Sequence, residues 1–140
     1  MTKDTLESFS NEINSKFLFD YDLKKSNCFN IGGKAKGYFK PDTLDDLVLF
    51  LKKFGGKERV FVLGAGSNIL MTDKKFDGVV IKLGRNFCNL SLLPNKIIVA
   101  GSAVTDKKLS EFAMDNNIGG FEFLSCIPGT VGGGLRINSG

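Results

Sequence analysis

The sequence predicts a fold that mixes helices and strands, on three observations. Three segments carry apolar residues at helical spacing, five short runs are rich in β-forming residues, and glycine-rich stretches interrupt them at residues 64–66 and 129–134. The elements follow in order.

Across residues 5–17, Leu6, Phe9, Ile13 and Phe17 fall on one helical face. Residues 35–40 read as a strand that Pro41 stops. Thr43 then supplies an N-cap oxygen, and Asp45 and Asp46 favour the positive end of the helix dipole. Leu44, Leu47, Val48, Leu51 and Phe54 form the apolar face, and Gly55-Gly56 ends this second helix. Residues 59–63 are a compact apolar run of β-formers, the mark of a buried strand. Residues 78–83 repeat that pattern. Residues 87–92 and 96–100 flank Pro94-Asn95 and read as a hairpin. Thr105 caps a third helix, with Asp106 at its start, Leu109, Phe112 and Ala113 inward, and Gly119-Gly120 at its close. Seven of the last 22 residues are Gly, and the chain stops at Asn138-Ser139-Gly140, which points to a C-terminally truncated domain.

Composition narrows the function classes. The 140 residues are 42% hydrophobic and 24% charged, an ordinary globular balance. There is no His, which removes Ser-His-Asp and Cys-His catalysis and His-ligated zinc. Cys28, Cys88 and Cys126 show no Cys-x-x-Cys spacing, so no metal centre is expected and the thiols read as small apolar fillers. Their odd number fits a reducing compartment. The first 15 residues are polar, with no signal-peptide core, and no run approaches the ~20 apolar residues of a membrane helix. A cytoplasmic protein with no membrane partner is expected. The net charge of +4 is spread along the chain, with 11 basic and 9 acidic residues up to Val60 and 8 and 6 after it, so no nucleic-acid partner is expected.

Two stretches carry ligand chemistry. Leu63-Gly64-Ala65-Gly66-Ser67-Asn68-Ile69-Leu70 follows a strand; its glycines permit positive φ, and successive free N–H groups in such a turn form a nest for phosphate oxygens. Ser67 and Asn68 can add side-chain donors. Neither a Rossmann nor a Walker spacing is present. A plain tight turn is the other reading. Cys126-Ile127-Pro128-Gly129-Thr130-Val131-Gly132-Gly133-Gly134 strips side chains from a stretch of backbone, as a flat ligand requires, or as a linker does. Together the two suit a long ligand with a phosphate section and a flat ring. Glu122 precedes the second stretch and reads either as an acid–base group or as a partner for nearby N–H groups or Arg136.

Five motifs in order then carry a resemblance: Asn27-x-Phe29-x-Ile31-Gly32-Gly33, Gly64-x-Gly66-Ser67-Asn68-x-Leu70, Gly119-Gly120-Phe121-Glu122-Phe123-Leu124, Ile127-Pro128-Gly129-Thr130-Val131-Gly132-Gly133 and Asn138-Ser139-Gly140. Over residues 24–140 the chain resembles the UDP-N-acetylenolpyruvoylglucosamine reductases, also called UDP-N-acetylmuramate dehydrogenases. The resemblance implies an α+β FAD-binding domain of the vanillyl-alcohol-oxidase type, with two small subdomains, a short parallel sheet and then an antiparallel sheet, and flanking helices. It implies residues 1–20 as an N-terminal arm and 21–140 as an incomplete FAD-binding domain without its substrate-binding domain. It implies FAD as cofactor, NADPH as reductant, a UDP-sugar substrate and a role in peptidoglycan synthesis. By resemblance, Leu63, Gly64, Ala65, Gly66, Ser67, Asn68, Ile69 and Leu70 wrap the pyrophosphate. Ile127, Pro128, Gly129, Thr130, Gly132, Gly133, Asn138 and Gly140 lie toward the flavin. Catalytic residues are expected beyond Gly140, so the chain alone is expected to be inactive. A non-catalytic FAD- or nucleotide-phosphate-binding module, or a fragment that complements a second chain, is the alternative.

Overall fold

The protein is described here by a computed structural model, covering residues 3–139. Helix α1 (Lys3–Glu12) buries Leu6 and Phe9 and stops well short of Phe17. The helix expected over residues 5–17 is thus corrected in its second half: Phe17 belongs to strand β1 (Lys16–Asp22). The physical reason is the aromatic alternation, which places Phe17 and Phe19 against one core layer and Leu18 against the other. Ser15 fixes the turn between the two elements by donating to the Asp46 carboxylate and accepting from the Asp42 N–H at 2.8 Å.

Strand β2 (Lys34–Lys40) lies antiparallel to β1, with Phe17 opposite Phe39. Helix α2 (Leu44–Phe54) follows, capped by Thr43 accepting from Asp46 N–H at 3.1 Å. Strand β3 (Val60–Val62) and strand β4 (Phe76–Ile81) complete a four-stranded sheet of order β1-β2-β4-β3. The expected parallel sheet is β2-β4-β3, and β1 adds an antiparallel edge that the sequence reading missed. β4 begins two residues earlier than the expected run at 78–83.

One face of the sheet packs Phe39, Val79 and Ile81 against Leu6, Phe9, Ile13, Phe50 and Phe54. The Phe9 ring meets Phe17, Phe39, Phe50 and Phe54 edge-on, with centroids 5.2–6.0 Å apart. The α2 face is therefore turned from the expected one: Phe50 and Phe54 are buried and Leu47 packs beside them, while Leu44, Val48 and Leu51 are exposed. The larger aromatic area decides which stripe goes inward. The opposite sheet face holds Leu23, Ala35, Tyr38, Leu63 and Val80. There Tyr21 stacks on Tyr38 at 4.0 Å, and the Ser26 hydroxyl donates to the Tyr21 oxygen at 3.2 Å.

Strands β5 (Leu90–Leu93) and β6 (Ile97–Ala100) form the expected antiparallel ribbon. Its turn places Asn95 and Lys96 at φ 63° and 59°. Helix α3 (Asp106–Asp115) is capped by Thr105, which accepts from the Lys108 N–H at 3.3 Å. A short 3₁₀ segment (Glu122–Cys126) leads to helix α4 (Val131–Ile137). That helix was not legible in a run of three glycines. Thr130 nucleates it by capping Gly133 N–H at 3.3 Å, and neighbouring carbonyls anchor its first turn. All three cysteines are exposed, which corrects their reading as core fillers: each lies in or beside a turn rather than in a packed element.

Candidate functional site

The site lies where β3 leaves the sheet. Leu63 still donates to the Ile81 carbonyl at 2.8 Å, and the chain then enters the 64–70 loop. Gly66 sits at φ 77°, and a Cβ there would lie 2.2 Å from the Ser26 carbonyl oxygen and 2.9 Å from the Asn27 Cα. Its own carbonyl accepts the Cys28 N–H at 3.0 Å. The loop is thus pressed onto residues 26–28, and only glycine permits that approach.

Asn27 makes the backing segment rigid. It is buried; its amide donates to the Leu23 and Ile31 carbonyls at 2.9 and 2.8 Å, and its oxygen accepts the Phe29 N–H at 3.1 Å. Gly33 donates to the Thr72 carbonyl at 2.9 Å, tying the far end of this segment to the chain beyond the loop. These carbonyls are thereby used elsewhere. Among the described residues, none of the seven backbone N–H groups of residues 64–70 donates to a protein acceptor. The side chains of Leu63 and Ile69 pack in the core layer, leaving their backbones to the loop, whereas Asn68 and Leu70 are exposed.

The second predicted stretch meets the first. A Cβ on Gly64 would lie 2.9 Å from the Thr130 hydroxyl oxygen and 3.7 Å from the Gly133 Cα. The Thr130 segment is itself strapped down: Val131 donates to the Val104 carbonyl and Gly132 to the Ser102 carbonyl, each at 2.9 Å, and Asp106 donates to Gly129 at 3.3 Å. A Cβ on Gly129 would strike the Asp106 carboxylate at 2.3 Å. Asp106 is buried, and burial raises the pKa of its carboxyl above the ordinary 3.8.

The structure therefore brings together Gly64, Gly66, Thr130 and Gly133. Ile127 and Pro128 are exposed ahead of the cap, and the missing Cβ of Gly134 faces open space. Asn138 closes α4 in the left-handed region, φ 53°, with its N–H bonded to the Gly134 and Leu135 carbonyls. Gly140 lies outside the described residues. Glu122 accepts the Gly120 N–H at 2.8 Å, the backbone pairing that its sequence position allowed, and Arg136 is not its partner. The contribution of residues 26–28 was missed as part of the site, although Asn27 opens a motif that was legible.

These residues fit a phosphate-bearing dinucleotide: unpaired N–H groups on a glycine turn can receive oxygens, and a second glycine stretch adjoins them. Comparison with known proteins agrees. Residues 35–140 match the family described as FAD binding domain. A UDP-N-acetylenolpyruvoylglucosamine reductase of Pelagibacter ubique is 68% identical over 100% of this chain, which covers 46% of that relative. The enzyme of the same name from Rickettsia akari is 44% identical over 91% of the chain and 43% of the relative. The crystal structure of UDP-N-acetylenolpyruvylglucosamine reductase from Thermus caldophilus superposes with a TM-score of 0.72 at 26% identity, over 91% of this chain and 43% of that one. The chain thus spans a little under half the length of the relatives it matches.

Proposed function

Since the chain belongs to the FAD binding domain family, we propose that it is the cofactor-holding part of a UDP-N-acetylenolpyruvoylglucosamine reductase. The single observation that carries the reading is the row of seven N–H groups at residues 64–70 that have no protein acceptor among the described residues, at the carboxyl end of a parallel strand. In this reading the backbone of residues 64–70 takes the pyrophosphate of FAD, and Ser67 and Asn68 add side-chain donors. Ile127, Pro128, Gly129, Thr130, Gly132, Gly133 and Asn138 border the flavin end, where the glycines, lacking side chains, let a flat ring approach. Thr130 serves twice, as cap of α4 and as the contact that holds the second stretch against Gly64.

When bound, FAD would supply the hydride-transfer chemistry between NADPH and the enolpyruvyl group of the UDP-sugar. The residues of this chain bind and orient that cofactor. No proton donor is assigned among them: Glu122 is occupied by the Gly120 N–H, and Asp106 is buried under Gly129. The reading assigns residues 21–140 to the FAD-binding domain and residues 1–20 to an N-terminal arm, whose Leu6 and Phe9 lock onto it. It places the protein in the cytoplasm, where NADPH and the nucleotide sugar are found; no helix among the described residues is long and apolar enough to cross a membrane.

A second reading, a cofactor-holding fragment completed by another chain, is favoured by the β5-β6 ribbon. Leu93, Ile97 and Val99 are exposed on one of its faces and Leu92 on the other, a pattern suited to a strand pair covered on both sides.

Titration of the purified chain with FAD, followed by flavin fluorescence, tests the proposal. Saturable 1:1 binding that Gly66→Ala weakens is expected. Absence of binding by the chain, both alone and mixed with the remaining half of a relative, would refute it.

A further inference from the structure

β4 ends at Ile81, but Lys82 continues the pairing, its N–H donating to the Phe39 carbonyl at 2.9 Å. Side chains alternate across a strand. Val79 and Ile81 enter the core layer beneath the helices, and Val80 enters the layer that holds Leu63 and Tyr38. Lys82 therefore projects on the Val80 side, as Lys40 projects on the Tyr38 side of β2. The register that sets Tyr38 against Val80 and Phe39 against Ile81 brings Lys40 and Lys82 level at the carboxyl ends of two adjacent parallel strands. On the other flank, Val62 pairs with Ile81, so the 64–70 loop starts beside Lys82. Cys28, beyond the loop, holds the Gly66 carbonyl through its N–H at 3.0 Å.

Elsewhere this protein pairs its partly buried ammonium groups. Lys36 on β2 meets Glu58 and Asp77 at 3.0 and 3.5 Å. Lys82 is half-buried, and burial first and the Lys40 charge second lower its pKa. Among the described residues neither Lys82 nor Lys40 has an ion pair or a side-chain hydrogen bond. Two like charges level with each other, without a carboxylate, beside a loop of unpaired N–H donors, form a site that lacks only its anion.

We propose that Lys82, backed by Lys40, is a further cofactor-binding residue whose ammonium neutralises the pyrophosphate seated on residues 64–70. The assignment rests on the FAD reading and deepens it: the loop supplies neutral donors, and the lysines supply the charge. A lysine that merely keeps the surface wet would leave binding unchanged when replaced.

The test compares wild type, Lys82→Met and Lys82→Arg, titrated with FAD and separately with inorganic pyrophosphate at two salt concentrations. Lys82→Met removes a charge that burial disfavours, so its thermal midpoint matches or exceeds wild type. It binds both ligands about ten- to hundred-fold more weakly, the loss of one hydrogen bond to a charged group. Its affinity also depends less on salt, while Lys82→Arg stays within a few-fold of wild type. Equal FAD affinity and equal salt dependence in Lys82→Met overturn the assignment and leave the FAD reading standing. Lys82-dependent binding of pyrophosphate without binding of FAD does the reverse. Binding of neither ligand, by the chain alone and mixed with the remaining half of a relative, overturns both. Lys82→Gln, which keeps a polar end, gives the same comparison should Lys82→Met not fold.

Discussion

Replacing Gly66 by alanine perturbs the site at its tightest point, and its effect divides into parts. An L-residue at positive φ costs about 1–2 kcal/mol, and Gly66 sits at φ 77°. The new Cβ would lie 2.2 Å from the Ser26 oxygen, where ordinary contact begins at 3.4 Å, so the two segments must part by about 1 Å. Parting them lengthens the 3.0 Å bond from Cys28 N–H to the Gly66 carbonyl, a loss of about 1 kcal/mol. The sum is about 2–3 kcal/mol, a large share of the roughly 5–15 kcal/mol that holds a domain together. Gly56 supplies the control: its φ is 73°, but nothing lies within 4 Å of its missing Cβ. Gly56→Ala therefore carries the backbone strain alone, about 1–2 kcal/mol. Both changes stiffen the unfolded chain equally, so that contribution cancels in the comparison. At about 4 °C per kcal/mol for a chain of this length, circular dichroism melts should show losses of roughly 4–8 °C for Gly56→Ala and roughly 8–12 °C for Gly66→Ala. Equal losses would refute the close approach of residues 26–28 to the loop.

Two further outcomes follow from the second stretch. Because burial raises the Asp106 pKa above 3.8, the folded protein holds this proton more tightly than the unfolded chain does. The burial penalty is absent below 3.8 and grows as pH rises through the folded value. Asp106→Asn should therefore stabilise the protein at neutral pH, with the gain fading as pH falls toward 4; paired urea titrations across that range would contradict this by showing a gain independent of pH. Thr130→Ala removes the cap on Gly133 and should lower stability by about 1 kcal/mol, while Thr130→Ser keeps the oxygen and should recover most of it in the same melts.

Much of this architecture is visible in the residues because local rules and tertiary packing agree there. Thr43 and Thr105 cap the helices that their positions announce, and Pro94-Asn95 marks the ribbon turn. Disagreement arises where packing overrides spacing. Phe17 continues a helical series with Leu6, Phe9 and Ile13, yet Phe19 and Phe39 give it a better surface in a strand. The glycines of α4 have poor helix propensity, and what makes them helical is a cap plus bonds to residues 102 and 104, about 30 positions earlier in the chain. The 64–70 loop was legible from its glycines. Its support by Ser26 and Asn27 was not, since nothing in a single sequence says which distant carbonyl a glycine must clear. The pairing of Lys40 with Lys82 is likewise a property of strand register.

The absence of Trp gives the stacked tyrosines a use in spectroscopy. Tyr21 and Tyr38 are the only strong near-ultraviolet emitters in this chain, and they form one stacked pair. The Tyr21 oxygen is bonded to Ser26, whose carbonyl backs Gly66. Phenol emission thus originates two contacts from the loop, with no indole to overwhelm it. The protein carries a built-in optical probe of its own binding turn, readable without a label and distinct from the visible bands of a flavin.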